Sequence, residues 1–348
     1  MNPSGSHLAT TPAAQIAWLF PGQGSQSVGM GKDLVESSAA AREVFDRADK
    51  ALGEKLSRLI LEGPEDELTL TTNAQPALVT MSAAVLAAIH ERHPNLPTPR
   101  FAAGHSLGEY SALVAAGGLS LEDAVRLVRA RGRAMQGAVP AGEGAMAAIM
   151  GVDASKLEAI CREVGEEKDA EGNAYGVVSC ANFNAPGQIV IAGSARAVAR
   201  VSERTGEEKG KAIPLKVSAP FHCALMAPAA KVLRGELDKV EVKTLTFPVV
   251  ANVDARPNAD PARVKELLVR QVDGAVRWEQ AVRLMHMEGI TQAIEIGPGK
   301  VLAGLGKRIA KEMKIHSVGD VASLSALADF LAPPAAASGE PEAEASAS

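Results

Sequence analysis

Cysteine is scarce in this chain. Cys161, Cys180 and Cys223 are too few and too scattered for a disulfide framework or a zinc site, which suits a reducing cytosol. Aromatic residues make up only 3% of the 348 residues, and that argues against base-stacking surfaces. Positive charge is not in excess: the formal net charge is −5, so whole-chain electrostatics gives no case for nucleic acid. No apolar run approaches the ~20 residues that span a membrane. The opening "MNPSGSHLATTPAAQ" lacks the charged start and apolar centre of a signal peptide. There are no internal repeats.

What is present is the mix of a globular protein with a sizeable core: 47% hydrophobic and 22% charged residues. Residues 1–15 read as a disordered leader and 333–348, rich in Pro, Ala, Ser and Glu, as a disordered tail. Between them, strand-like and helix-like runs alternate. "IAWLF" (16–20), "FAAG" (101–104), "PVVANV" (248–253) and "AIEIG" (293–297) read as strands. Helical patterns cover 36–51, 77–92, 107–116, 121–137, 261–271, 278–288 and a stretch from about 300. The alternation predicts an α/β fold with a mostly parallel sheet. Residues 142–216 read differently. Strands at 144–151, 175–182, 187–193 and 212–218, with helices at 155–165 and 195–206, give the order β-α-β-β-α-β, and "FNAP" reads as the turn between the middle strands. That order predicts a ferredoxin-like subdomain inserted into a core made of 16–141 and 217–332.

The chemistry begins at "AAGHSLGEYSAL" (102–113), where Ser106 lies between Gly104 and Gly108. A strand precedes this G-x-S-x-G and a helix follows, the context of a nucleophile elbow. So sharp a corner leaves no room for a Cβ two residues either side of the serine. It also sets the following amides at a helix start, where they can bind an oxyanion. The bland alternative is an N-cap serine in a glycine-rich loop.

A serine nucleophile needs a base. Of seven histidines, His222 in "VSAPFHCALM" stands at the end of a predicted strand, where α/β proteins build sites; His316 is the runner-up. His105 adjoins the serine, but neighbouring side chains diverge. Cys223 has no elbow around it. No acid between Ser106 and His222 stands out as a triad member, which disfavours an ordinary hydrolase. The helix "RLVRARGRAMQ" (126–136) carries Arg126, Arg129, Arg131 and Arg133. It follows the elbow helix directly, so an arginine on one face can reach the serine and hold a carboxylate in a bidentate fork. The loop "LFPGQGSQSVGMGKDL" (19–34) lacks the Gly-Lys-Ser/Thr ending of a nucleotide-binding P-loop. Its glycines can instead bring a backbone amide close to the serine.

Taken together, "FPGQGSQSVGMG", "TTNAQPAL", "GHSLGEYSAL", "RGRAMQ", "NFNAPGQIVIAG", "SAPFHCALM", "VVANVDA" and "EIGPGKVLAGL" occur in an order that resembles the malonyl-CoA:acyl-carrier-protein transacylases and the acyltransferase domains of fatty acid and polyketide synthases. The resemblance runs from about 16 to 330. It implies a hydrolase-like α/β core with a ferredoxin-like insert. It implies Ser106 as the nucleophile that takes malonyl from coenzyme A, His222 as its base, and the amides of Gln23 and Leu107 as the oxyanion hole. Arg131 would pair with the free carboxylate of malonate, and the backbone carbonyl of Gln271 would orient His222 in place of a triad acid. Asn182 and Gln188 would line the cleft, and Phe221 would crowd a branched α-carbon. The implied partners are malonyl-CoA and the phosphopantetheine thiol of holo acyl carrier protein. No metal or redox cofactor is implied. The expected protein is a cytoplasmic monomer that binds neither nucleic acid nor membrane. Two rivals differ in class: a serine hydrolase or thioesterase that releases free acid, and a non-catalytic module that docks a carrier protein.

Overall fold

The computed structural model describes residues 15–332; the expected leader (apart from Gln15) and tail lie outside the described residues. Its strands are β1 (Ile16–Phe20), β2 (Phe101–Gly104), β3 (Gly144–Met150), β4 (Val178–Ala185), β5 (Gln188–Ser194), β6 (Lys211–Pro214), β7 (Val249–Val250), β8 (Pro257–Asn258), β9 (Gln292–Ile296) and β10 (Lys314–Val318). Six of them form one sheet in the order β10-β9-β1-β2-β7-β8. All its pairings are parallel except β7 with β8.

The continuous apolar run of β1 follows from burial on both faces. Ile16, Trp18 and Phe20 face a core built with the helices Ala39–Leu52, Thr71–Arg92 and Leu121–Gln136. Ala17 and Leu19 face the opposite core, against the helices Trp278–Met287 and Val301–Ile309. Thr71–Arg92 is long and apolar enough to cross a membrane, yet most of it is buried inside the protein. It serves as a central core helix.

The other four strands form an antiparallel sheet in the order β4-β5-β3-β6. The helices Ala154–Glu166 and Ala195–Glu207 pack on it. This sheet is joined to the core by main chain. Val276 donates to Ala181 O at 2.8 Å, and Phe183 donates to Val276 O at 2.9 Å. The link keeps one face of the small sheet close to the ends of β1 and β2.

Several elements depart from the sequence reading. The expected helix 36–51 is two helices, Lys32–Ser37 and Ala39–Leu52, broken at Ser38, whose side chain caps the second by accepting from Ala41 N at 3.0 Å. The helix expected to start at 77 begins at Thr71 and carries Pro76 inside it. "FNAP" is not the turn: β4 runs on through Phe183 and Asn184, and the chain reverses at Pro186-Gly187, where Gly187 has φ 66°. The strand expected at 212–218 runs from Lys211 to Pro214; Leu215 N still donates to Met146 O at 2.9 Å, and Leu215, Lys216 and Val217 line a cleft. Within "PVVANV" the strand is only Val249–Val250, although Pro248 O still accepts from Ala102 N at 3.0 Å, and Asn252 beyond it bonds to Ser106 N.

Candidate active site

Ser106 stands at the end of β2 with φ 50°. The corner is closed by His105 N donating to Phe20 O at 3.0 Å and Gly108 N donating to His105 O at 2.9 Å. A Cβ on Gly104 would overlap the Gly108 carbonyl, and one on Gly108 would overlap Phe20 O. Both glycines are therefore steric requirements of the corner, as its sharpness implies. Gly22 serves the adjoining loop: a Cβ there would lie 2.6 Å from His105 O, so its absence lets the loop after β1 approach the serine.

Asn252 stitches the corner shut. Its Oδ1 accepts from Ser106 N at 2.7 Å and its Nδ2 donates to Gly104 O at 2.7 Å. With Ser106 N so engaged, the amide of Leu107, next in line at the start of the helix Gly108–Ala115, has no acceptor among the described residues. Neither has the amide of Gln23, whose side chain is tied instead to Thr71 Oγ1 at 3.2 Å.

Ser106 Oγ lies 2.7 Å from His222 Nε2. His222 Nδ1 lies 2.8 Å from the main-chain oxygen of Gln271. A carbonyl only accepts, so Nδ1 carries the hydrogen and Nε2 is the free acceptor for the serine proton. Burial and the nearby Arg131 charge lower the His222 pKa to about 3, against the pull of the Gln271 carbonyl. The imidazole is therefore neutral in the free protein. The other two histidines weighed from the sequence are engaged otherwise. His105 Nε2 meets Asn184 Oδ1 at 2.8 Å under Trp278. His316 meets Ser323 O at 2.9 Å and stacks on Phe330. Cys223 donates to Pro220 O at 3.1 Å, and burial pushes its thiol up to about 11.

Of the four arginines in "RLVRARGR", only Arg131 reaches the serine. It is 1% exposed, and its Nη2 donates to Ser106 Oγ at 3.2 Å and to Gln271 Oε1 at 2.9 Å. Nη1 donates to Gln75 Oε1 at 2.9 Å, while Nε has no partner among the described residues. Arg129 is held by Asn73 and Glu54, and Arg126 by Ala51 O and Asp123. The neighbouring Gly132 lets the arginine helix pack tightly, since a Cβ there would stand 2.7 Å from Thr71 O.

These groups share one cleft of about 270 Å³, which opens between the core and the small sheet. Gln23, Ser106, Arg131, Asn182, Phe221 and His222 all line it. Gln188 does not. It shares a strand face with Val190 and Ala192 but lies at the turn end of β5, where Arg308 holds its side chain. The expectation that Gln188 lines the cleft is corrected on that ground.

The model of the acyl transferase domain family matches residues 17–322. The malonyl CoA-acyl carrier protein transacylase of Bacillus subtilis (strain 168) is 53% identical over 308 residues, 88% of this chain and 94% of that protein. The chain belongs to the malonyl-CoA:acyl-carrier-protein transacylase family. Solved members of the family share its fold. The acyl-carrier-protein S-malonyltransferase of Burkholderia pseudomallei 1710b superposes with a TM-score of 0.84 at 47% identity, covering 90% of this chain and 99% of that one. A malonyl-transacylase solved in complex with a type II PKS acyl-carrier protein gives 0.85 at 42% identity, with coverage of 90% and 99%.

Two residues of this transacylase fold were missed by sequence reasoning: Asn252, and Glu109 beside it. Glu109 is 3% exposed and its Oε2 accepts from Asn252 N at 3.0 Å. Both stand inside quoted motifs, "VVANVDA" and "GHSLGEYSAL", and that placement was the one signal the sequence offered.

Proposed function

We propose that this protein moves a malonyl group from malonyl-CoA to the phosphopantetheine thiol of acyl carrier protein through a malonyl ester on Ser106, supplying extender units for fatty acid or polyketide synthesis. The observation that carries this reading is the convergence of His222 Nε2 and Arg131 Nη2 on Ser106 Oγ, at 2.7 Å and 3.2 Å. A base alone fits any acyl serine enzyme. A buried guanidinium at the same oxygen fits an acyl group that ends in a carboxylate.

In the first half, Ser106 Oγ attacks the thioester carbonyl as its proton passes to His222 Nε2. The amides of Gln23 and Leu107 receive the oxyanion. The C–S bond breaks, and the coenzyme A thiolate leaves with the proton from His222. In the second half His222 takes the proton of the incoming thiol. The thiolate attacks the ester, and Ser106 regains its hydrogen as the C–O bond breaks. The Gln271 carbonyl stands where a triad acid would and holds the imidazole tautomer. The imidazolium formed in each half is opposed by Arg131 in the free site. Bound malonyl brings a carboxylate to Arg131, which offsets that opposition, so the correct substrate assists its own base. Phe221, on the cleft wall beside His222, crowds a 2-methyl branch and disfavours methylmalonyl. Asn182 lines the wall opposite the core.

The exchange of one thioester for another needs no metal or redox cofactor. The β-α-β-β-α-β order and the β4-β5-β3-β6 arrangement support a ferredoxin-like subdomain at 142–216. The elbow at the end of a parallel strand supports a hydrolase-like core made of 16–141 and 217–332. We place the protein in the cytoplasm as a monomer. Initial rates with malonyl-CoA and holo carrier protein both varied test the scheme. Parallel double-reciprocal lines, with little free malonate, are expected. Intersecting lines, or malonate as the main product, contradict it.

A further inference from the structure

Glu109 lies in the first turn of the helix behind the nucleophile, out of the cleft and buried. One of its oxygens, Oε2, accepts from Gln271 Nε2 at 2.8 Å and from Asn252 N at 3.0 Å. Those two residues hold the rest of the site. Gln271 Nε2 also donates to Ser106 O at 2.8 Å, Gln271 Oε1 accepts from Arg131, and the main-chain oxygen of Gln271 accepts from His222. Asn252 fastens Ser106 N and Gly104 O.

A primary amide can sit in a pocket either way round, and its neighbours decide. Arg131 has only hydrogens to give, so it selects the oxygen of Gln271. The main-chain N–H of Asn252 has only a hydrogen to give, so Glu109 Oε2 is an acceptor, and it selects the nitrogen of Gln271. Burial pushes the Glu109 carboxyl up to about 7, and Oε2 accepts whether or not the other oxygen holds a proton. Arg131 at one end and Glu109 Oε2 at the other fix a single orientation of Gln271. Burying a carboxylate is costly unless its oxygens are hydrogen-bonded. This one spends its acceptor on the two residues that hold the nucleophile and the base.

We infer that Glu109 is a positioning residue: by holding Gln271 and Asn252 it makes His222 and Arg131 converge on Ser106. It touches neither substrate nor reacting atoms. For its transfer readout this inference rests on the proposed function, so the main test is made independent of malonyl. The probe is a fluorophosphonate. Ser106 Oγ forms a bond to phosphorus, the P–F bond breaks, fluoride leaves, and the serine proton passes to His222. The labelling rate reports how well the pair is set.

The variants are Glu109→Gln, Glu109→Asp, Glu109→Ala, Gln271→Ala and the double Glu109→Ala/Gln271→Ala, each checked for folding by circular dichroism and melting. Gln271→Ala keeps the main-chain carbonyl. Glu109→Asp, a methylene short of both donors, and Glu109→Ala should label at least tenfold more slowly than wild type. Glu109→Gln keeps an oxygen at full reach and should recover most of that loss. The double variant should be slowed by less than the product of the two single effects, because the Glu109–Gln271 contact is common to both, while Glu109 also holds Asn252 and Gln271 also holds Arg131. In malonyl transfer the loss should fall on kcat more than on KM. Wild-type labelling by Glu109→Asp, or effects of Glu109→Ala and Gln271→Ala that multiply, would overturn the inference. If Glu109→Ala does not fold, the contrast between Asp and Gln decides alone. The labelling pattern without any malonyl transfer by wild type would leave Glu109 its role and remove the proposed function. Normal transfer with uniform labelling would do the reverse.

Discussion

The guanidinium of Arg131 donates to the hydroxyl of Ser106 across 3.2 Å, from a position 1% exposed. A buried cation beside a nucleophile lowers the basicity of the imidazole next to it, so its presence needs a gain elsewhere. On the proposed function that gain is a charged substrate. Removing one partner of a buried charge pair costs about 2–5 kcal/mol. Arg131→Ala should lower kcat/KM for malonyl-CoA by that much, while acetyl-CoA, with no carboxylate, loses little or gains. Rates for both substrates in wild type and variant give the ratio. An unchanged ratio would remove Arg131 from selectivity.

Gly104 tests the corner itself. Its absent Cβ leaves the space that the Gly108 carbonyl fills. Gly104→Ala must push β2 away from the elbow helix, a backbone shift in a packed core. We expect a loss of about 1–3 kcal/mol of stability or more, read as a fall in the denaturation midpoint, or no soluble protein. Gly24, where a Cβ meets nothing nearby, is the control for space, although its φ of 101° adds some backbone strain. Equal melting of Gly104→Ala and wild type would contradict the elbow geometry.

His222 makes stability depend on pH in a stated direction. Its folded pKa is lowered to about 3 from the usual 6.5. The stability from keeping it neutral is present above pH 6.5 and is lost as pH falls from there towards 3. The slope is at most about 1.4 kcal/mol per pH unit for one proton. Between pH 6 and 5, His222→Gln should therefore lose less stability than wild type. Denaturation at both pH values measures the difference, and equal losses would mean that His222 is not buried neutral.

Asn252→Ala frees Ser106 N and Gly104 O together. We expect kcat to fall at least tenfold with little change in KM for malonyl-CoA, since the residue touches the corner and not the cleft. A change confined to KM would place Asn252 in substrate binding instead.

Much of this was legible in the sequence because it is local. The glycines at 104 and 108 carry the elbow within five residues, and the unbroken apolar run of β1 carries the two-sided sheet. What was not legible depends on distant partners. Asn252 meets Ser106 across 146 residues of chain and Gln271 meets it across 165, and no spacing reports such a contact; Gln271 was named through the family resemblance alone. Glu109 is one charged residue of a helix in sequence, and burial is what distinguishes it. Gln188 was misplaced because a strand face continues past the cleft's edge, and Arg308 waits there. The break at Ser38 and the start at Thr71 were obscured because helical periodicity runs through a cap and through a proline near a helix start.

The central claim is that Ser106 carries the malonyl group between two thiols. Intact mass spectrometry tests it most directly, on wild type and Ser106→Ala, after malonyl-CoA and again after holo carrier protein. Wild type should gain one malonyl group and lose it to the carrier protein, whose mass rises by the same amount, while Ser106→Ala gains none. A malonyl adduct on Ser106→Ala, or a wild-type adduct that ends as free malonate with the carrier protein unmodified, would contradict the account.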